Sequence, residues 1–298
     1  IDATQRDFGG AFSDNYFNVL PSAILTYSLS DFNKLKLAYF PRIGRPSIEY
    51  INPYINYSDE FNLKQGNPEL DPELSHNVEL GYSGIFGRSS FNINAFYRFT
   101  NNAIEIVGNV EDGVSMSTYG NYAQNATTGV NMNISSRFFN KLMVSLNGDV
   151  YYKDIKSNSM DLENDGFEYK LHLFSSFQFG KGWSAEGFGM YNARTVMLQG
   201  VNSGYYFYSL GVKKSILQGK ADVRVSVSNI FNPSVNYTME HNYQNAHFYS
   251  ESKNAARGIR LGFSYKFGKM TFTPRAKQIK SDDLLEGTDE GSQNQGMN

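Results

Sequence analysis

The stretch VNYTMEHNYQNAHFYSE, residues 235–251, brings together side chains that bind: Tyr237, His241, Tyr243, His247 and Tyr249, with Glu240 and Glu251 among them. Aromatic and imidazole faces suit stacking on a sugar, a peptide or a planar chelate, and imidazole with carboxylate can also ligate a transition metal. Ordinary loop residues facing water would look the same, so both readings stay open. DLENDG at 161–166 opens like a calcium loop, with acidic side chains at Asp161, Glu163 and Asp165 ahead of Gly166. The place where a bidentate Glu belongs holds His172, and the template fails. No nucleophile elbow, zinc-protease helix motif or phosphate-binding loop occurs. Neither an enzyme nor a cofactor is expected.

A second candidate is GRPSIEYINPYINYSDEFNLKQGNPELDPE, residues 44–73. Pro46, Pro53, Pro68 and Pro72 fix φ, and Gly66 permits a tight turn, so the segment is expected to be ordered despite its length. Arg42 and Arg45 can bond to loop carbonyls or carboxylates. Tyr50, Tyr54 and Tyr57 can either pack inside the loop or stack on a ligand, and the pattern alone leaves that choice open. Structureless links beyond about 15 residues are uncommon in compact soluble domains. The elements on either side have to explain it.

Those elements alternate. In SFNINAFYRFT, Phe91, Ile93, Ala95, Tyr97 and Phe99 share one face and Asn92, Asn94 and Arg98 the other, with Phe96 as the exception. LMVSLNGDVYY at 142–152 and RGIRLGFSYKF at 257–267 repeat the pattern. Similar runs cover 18–29, 34–40, 75–82, 127–138, 167–179, 184–193, 205–216 and 221–230. That predicts about eleven strands, most near the roughly 9–11 residues that a tilted strand needs to cross a bilayer. Connections at 30–33, 84–89, 139–141, 180–182 and 218–220 are short and polar; those near 41–74, 100–121, 154–166, 194–204 and 231–256 are long. Short turns on one rim and long loops on the other are how outer-membrane barrels are built, the short ones periplasmic.

Composition agrees. The 298 residues are 40% hydrophobic and 15% aromatic (23 Phe, 21 Tyr, 1 Trp), yet the mean hydropathy is -0.45. A polar lumen with aromatic girdles gives that pairing; a soluble core would lean on Leu, Ile and Val. The net charge of -2 offers no basic footprint for nucleic acid, and the absence of cysteine excludes disulfides and thiol chemistry. The expected fold is all-β, an antiparallel up-and-down transmembrane barrel. Alternation then puts Asn92, Asn94, Arg98, Asn131, Asn133, Arg137, Asn147, Asp149, Arg224 and Arg260 on the lumen side. The start at IDATQ, without Met, suggests a fragment whose residues 1–17 are an extracellular loop remnant. The barrel is expected over 18–267. The polar run 268–298 has basic residues followed by acidic ones and is expected to be a disordered periplasmic tail.

The order PRIGRPS, INPYINYSD, GNPELDPE and HNVELGY resembles the carboxy-terminal half of Bacteroidetes outer-membrane β-barrel proteins related to TonB-dependent transporters. In that resemblance Arg42, Arg45, Pro46, Asn52, Pro53, Gly66, Asn67, Pro68, Pro72 and Glu73 form a family loop motif with a structural role. Phe263, Tyr265 and Phe267 look like the aromatic-ended signal for membrane insertion, although most such transporters end at that aromatic and this chain continues. The resemblance implies a barrel of about 22 strands, an amino-terminal plug domain, a TonB complex, the barrel-insertion machinery, and outer-membrane lipid and lipopolysaccharide as partners. It also implies import of a siderophore, glycan or peptide. A non-energised barrel for assembly or adhesion is the alternative, followed by a soluble carbohydrate-binding sandwich.

Overall fold

The structure, a computed structural model, describes residues 17–243 and 246–268. Of the expected loop remnant over 1–17 and tail over 268–298, all but residues 17 and 268 lie outside the described residues. Period-two alternation becomes strand after strand: β1 (Ala23–Ser28), β2 (Lys34–Gly44), a single helical turn α1 (Ile48–Ile51), then the short β3 (Ile55–Asn56) and β4 (Asn62–Gln65). Next come β5 (Glu73–Phe86), β6 (Ser89–Glu111), β7 (Val114–Phe138), β8 (Leu142–Ser157), β9 (Leu162–Gly180) and β10 (Trp183–Asn192). The chain continues with β11 (Thr195–Met197), β12 (Gly200–Asn202), β13 (Tyr205–Ile216), β14 (Ala221–Ser228), β15 (Ser234–Asn242), β16 (His247–Ala255) and β17 (Gly258–Tyr265). No helix among the described residues is long and apolar enough to cross a membrane.

The main sheet follows the path β1-β2-β5-β6-β7-β8-β9-β10-β13-β14-β17, each strand antiparallel to its neighbours. These are the eleven elements that alternation predicts. Register carries each face across the strands: Leu37, Leu80, Ala95, Val130, Val150 and Tyr169 fall in one row, and Lys36, Gly81, Asn94, Asn131, Asp149 and Lys170 in the next. Gly81 apart, each residue of these rows sits opposite one of its own kind, so here one face is apolar and the other polar.

The apolar face is bare. Leu80, Leu210, Val225 and Leu261 are exposed there, bounded near the short turns by Phe86, Phe177, Phe179 and Trp183 and near the far rim by Tyr97, Tyr152, Phe167 and Tyr191. In water such a surface would drive association; in a bilayer it is the lipid-facing band between two aromatic girdles. Lys214 extends along it, its ammonium 4.8 Å from the Trp183 ring and bonded to the Lys181 carbonyl at 2.8 Å, so the charge reaches the interface while the stem stays in the apolar band.

The long connections differ from expectation. Residues 100–121, 154–166, 194–204 and 231–256 are expected to be irregular loops, but most of each is strand. β6 and β7 run 23 and 25 residues, more than twice a bilayer span, and turn only at Asp112 and Gly113, both with positive φ. The reason is that backbone amides leaving the membrane still need partners, and continuing the ladder supplies them. β2 likewise continues through Pro41 to Gly44. Its pairing with β1 stops at Tyr39, so the missing proline N–H falls where β2 is an edge.

Candidate functional site

Two structures crown the long-connection rim. The first is the segment from Arg45 to Pro72. Ser47 caps α1 by accepting from the Tyr50 amide, which orients Glu49 toward Lys64 at 2.9 Å. The Tyr50 ring stacks on Tyr119 of β7 at 4.2 Å, and the Lys64 ammonium lies 5.1 Å from the same Tyr119 ring. Burial, then the neighbouring Tyr119 and Glu49, push the Tyr50 phenol up to about 12. Burial works against the Lys64 charge, but Tyr119 and Glu49 outweigh it and its pKa is raised.

A chain of bonds then ties the segment to the long hairpin. The Gly66 and Asn67 amides donate to the Asn52 and Tyr50 carbonyls at 2.8 and 2.7 Å. A Cβ on Gly66 would lie 2.5–2.7 Å from backbone atoms of Asn52 and Tyr50, so no other residue fits without moving the chain. Asn67 Nδ2 donates to the Tyr119 carbonyl. Asn121 accepts from the Asp71 amide and donates to the Asp71 and Asn102 carbonyls. Asn102 has φ 54 beside a register shift in β6, and the next amide but one, Ile104, donates to the Glu73 carboxylate. Burial, with Glu105 nearby, raises the Glu73 pKa against that bond. Leu70 is 1% exposed at the centre. The GNPELDPE stretch thus grips a β6 bulge, and β4 adds a parallel strand to β7.

The second structure is a separate sheet, β11-β12-β15-β16, that leans onto the polar face of the extended strands. Val196 and Leu198 pack against Val107 and Ile155. Glu168, accepting from Tyr151, also takes the Val196 amide; Lys153 donates to the Val196 carbonyl, and Asn164 to those of Met197 and Gly200. Gln199 accepts from Gly108, over which the Tyr243 ring lies. The mouth of the sheet is therefore partly roofed.

The candidate residues separate by environment. Tyr54, Tyr57 and His247 are exposed, the last bonded to Glu240 at 2.9 Å. Tyr50, Tyr237 and Tyr243 are half-buried. His241 is 6% exposed, its ring near those of Tyr243 and Phe248, with Nε2 unpartnered and burial lowering its pKa. His241 and His247 do not converge on one ligand, and no group of three or more His, Asp or Glu able to hold a metal occurs among the described residues. Asp161 sits in the tight β8–β9 turn. Arg42 lies over Phe40.

On the polar face, register aligns Asn92, Asn133 and Asn147, and Asn94, Asn131 and Asp149. Asn94 donates to Asn131, Asn133 to Asn147, and Arg98 to Asn77. Arg137 lies near the short turns, Arg224 pairs with Glu186 at 2.9 Å, and Arg260 is exposed opposite Ser226. On β17, Phe263 and Tyr265 share the lipid face with Ile259 and Leu261, and Phe267 follows the strand's end. Sequence reasoning missed Lys64, Tyr119 and Asn121, whose partners lie about 50 residues away in the chain. It also missed the aromatic residues Phe174, Phe188 and Phe207 on the polar face. Consecutive apolar residues in LHLF and YYFY were the only sequence signal of Phe174 and Phe207, and Phe188, between two glycines, had none.

With this architecture in view, comparison with known proteins is direct. A family model described as an outer membrane protein beta-barrel family matches residues 1–265, and the chain belongs to that family. It is an outer-membrane protein. Solved structures with the same fold include the FrpB iron transporter from Neisseria meningitidis, at 15% identity and TM-score 0.54 over 84% of this chain and 39% of that one. The ferric yersiniabactin uptake receptor FyuA from Yersinia pestis matches at 15% identity and TM-score 0.59, over 88% and 39%. The ferric enterobactin receptor PfeA from Pseudomonas aeruginosa matches at 14% and 0.59, over 84% and 41%. The chain thus spans about two fifths of the length of these structures. No curated protein matches.

Proposed function

We propose that the chain is the carboxy-terminal part of an outer-membrane receptor and transporter of the TonB-dependent kind, importing a scarce or bulky substrate through a plugged barrel. The observation that carries this reading is the roofed mouth: a four-stranded sheet hydrogen-bonded onto the polar face, with a second ordered segment beside it, is a recognition surface rather than an open diffusion pore. Similarity in fold to receptors named for iron and ferric siderophores adds support. The rim with long hairpins faces outward and the tight turns face the periplasm.

In this reading exposed Tyr54, Tyr57 and His247 meet the substrate, a siderophore, glycan or peptide. Tyr50, Tyr237, His241 and Tyr243 hold the surface that presents them. A plug domain and a TonB complex supply gating and energy, lipid and lipopolysaccharide surround the band, and the insertion machinery reads Phe263, Tyr265 and Phe267. The test is uptake of labelled siderophores, oligosaccharides and peptides by cells carrying the full-length protein, with and without collapse of the proton gradient. Saturable uptake of one class that stops on collapse is expected. Gradient-independent flux that merely falls with solute size would sink the proposal in favour of a passive barrel.

A further inference from the structure

Charge separates the rim of long connections from the rest of the chain. Residues 41–74, 100–121, 154–166, 194–204 and 231–256 carry 15 acidic side chains against 6 basic ones, whereas the remainder of the described chain carries 6 acidic against 16 basic. Glu60, Glu69, Asp71, Glu111 and Asp112 are exposed on the first rim segment and the long hairpin, and Tyr54, Tyr57 and Tyr249 present exposed rings on the same rim. The surplus recurs under the second sheet. Glu105, between Ala103 and Val107 of the packed cluster, is buried, as is Glu168, and Glu73 feels both Glu105 and the Lys153 ammonium, which bonds to the Val196 carbonyl beside Glu168. Asn202 of β12 is 8% exposed and by register shares the buried side of its sheet with His241; its Oδ1 has no donor among the described residues. From the rim to the seam beneath it, negative charge and hydrogen-bond acceptors are in excess.

We infer, resting on the receptor reading above, that the substrate of this mouth is a basic peptide, whose Lys or Arg side chains bring the positive charge and the N–H donors that the rim lacks. A field of one sign concentrates ligands of the opposite sign and speeds their capture. An anionic ferric chelate is repelled by it, and a neutral glycan gains nothing from it. Exposed tyrosine faces add a second attraction for an ammonium or guanidinium. A bare metal ion does not fit, because no three His, Asp or Glu of the described residues converge to hold one. The cation therefore arrives on a larger molecule, and the backbone amides of a peptide donate to carboxylate and amide oxygens as its cationic side chains do.

The test uses the full-length protein in detergent and three short fluorescent peptides, alternating tyrosine with lysine, with glutamine or with glutamate. At low ionic strength the lysine peptide should bind about tenfold or more tightly than the glutamate peptide, with the glutamine peptide between them, and the gap should shrink as salt is added. Glu60→Lys combined with Glu69→Lys and Glu111→Lys, all at exposed positions, should narrow the gap at low salt while heat-modifiable migration stays at the parent level. Should that variant misassemble, the salt series on the parent decides the matter. Equal binding of the three peptides, tighter binding of the glutamate peptide or of a ferric siderophore, or a lysine preference that salt leaves unchanged overturns the inference alone. Absence of saturable binding for any peptide, oligosaccharide or siderophore removes the receptor reading along with it.

Discussion

Leu210 in the lipid band and Tyr57 on the rim are both largely exposed, at 53% and 66%, yet their exposure means opposite things. Leu210 is one of a cross-strand set with Val227, so its surroundings are set by a continuous ladder and its solvent is hydrocarbon. Tyr57 projects from a segment whose position depends on individual side-chain bonds, and its solvent is water. The band is held by repetition and the rim by particular contacts. Damage should therefore spread differently in the two regions.

The largest contrast expected is between Leu210→Arg and Tyr57→Arg. A charge near the bilayer midplane costs about 2–4 kcal/mol, so the first should reduce heat-modifiable, membrane-assembled protein sharply while the second leaves assembly at the parent level. Equal yields of assembled protein would abolish the distinction. Next comes Gly66→Ala, which forces a methyl against the Asn52 and Tyr50 backbones. Overpacking of this kind costs about 1–3 kcal/mol, and here it should appear as faster amide exchange over 45–72 with the spanning strands unchanged.

Asn121→Ala removes three hydrogen bonds that join the Asp71 backbone and the Asn102 bulge to β7. At about 1 kcal/mol for a typical bond, protease sensitivity should rise in the same segment, more gently than for a wholly displaced loop. The smallest effect is that of pH on the second sheet. Burial lowers the His241 pKa, so the folded form favours neutral imidazole; its contribution is complete above the ordinary histidine value near ~6.5 and is lost as pH falls through the lower folded value. Exchange in β15 and β16 should therefore quicken on acidification, and His241→Phe should blunt that response. A flat pH profile in the parent would show that His241 is accommodated when charged.

Most of the band is legible in the sequence. Ile259, Leu261, Phe263 and Tyr265 announce their face because a strand's side chains alternate with a period of two, whatever lies beside it. The rim was legible only as an ordered, Pro- and Gly-marked segment. That Tyr50 would turn inward while Tyr54 stays exposed depends on Tyr119, far along the chain. Expecting loops where β6 to β9 continue as hairpins misjudged how far backbone pairing carries beyond the membrane.

By itself, then, the sequence determined which strands span the membrane, which face of each is apolar, and which rim carries the long connections, because local alternation and turn chemistry need no distant partner. Only the tertiary structure decided that β11–β12 and β15–β16 fold over the polar wall, that GNPELDPE grips a bulge in β6, and that Phe174, Phe188 and Phe207 meet. Those outcomes depend on contacts between residues remote in sequence, and a period of two carries no information about which strand lies next to which.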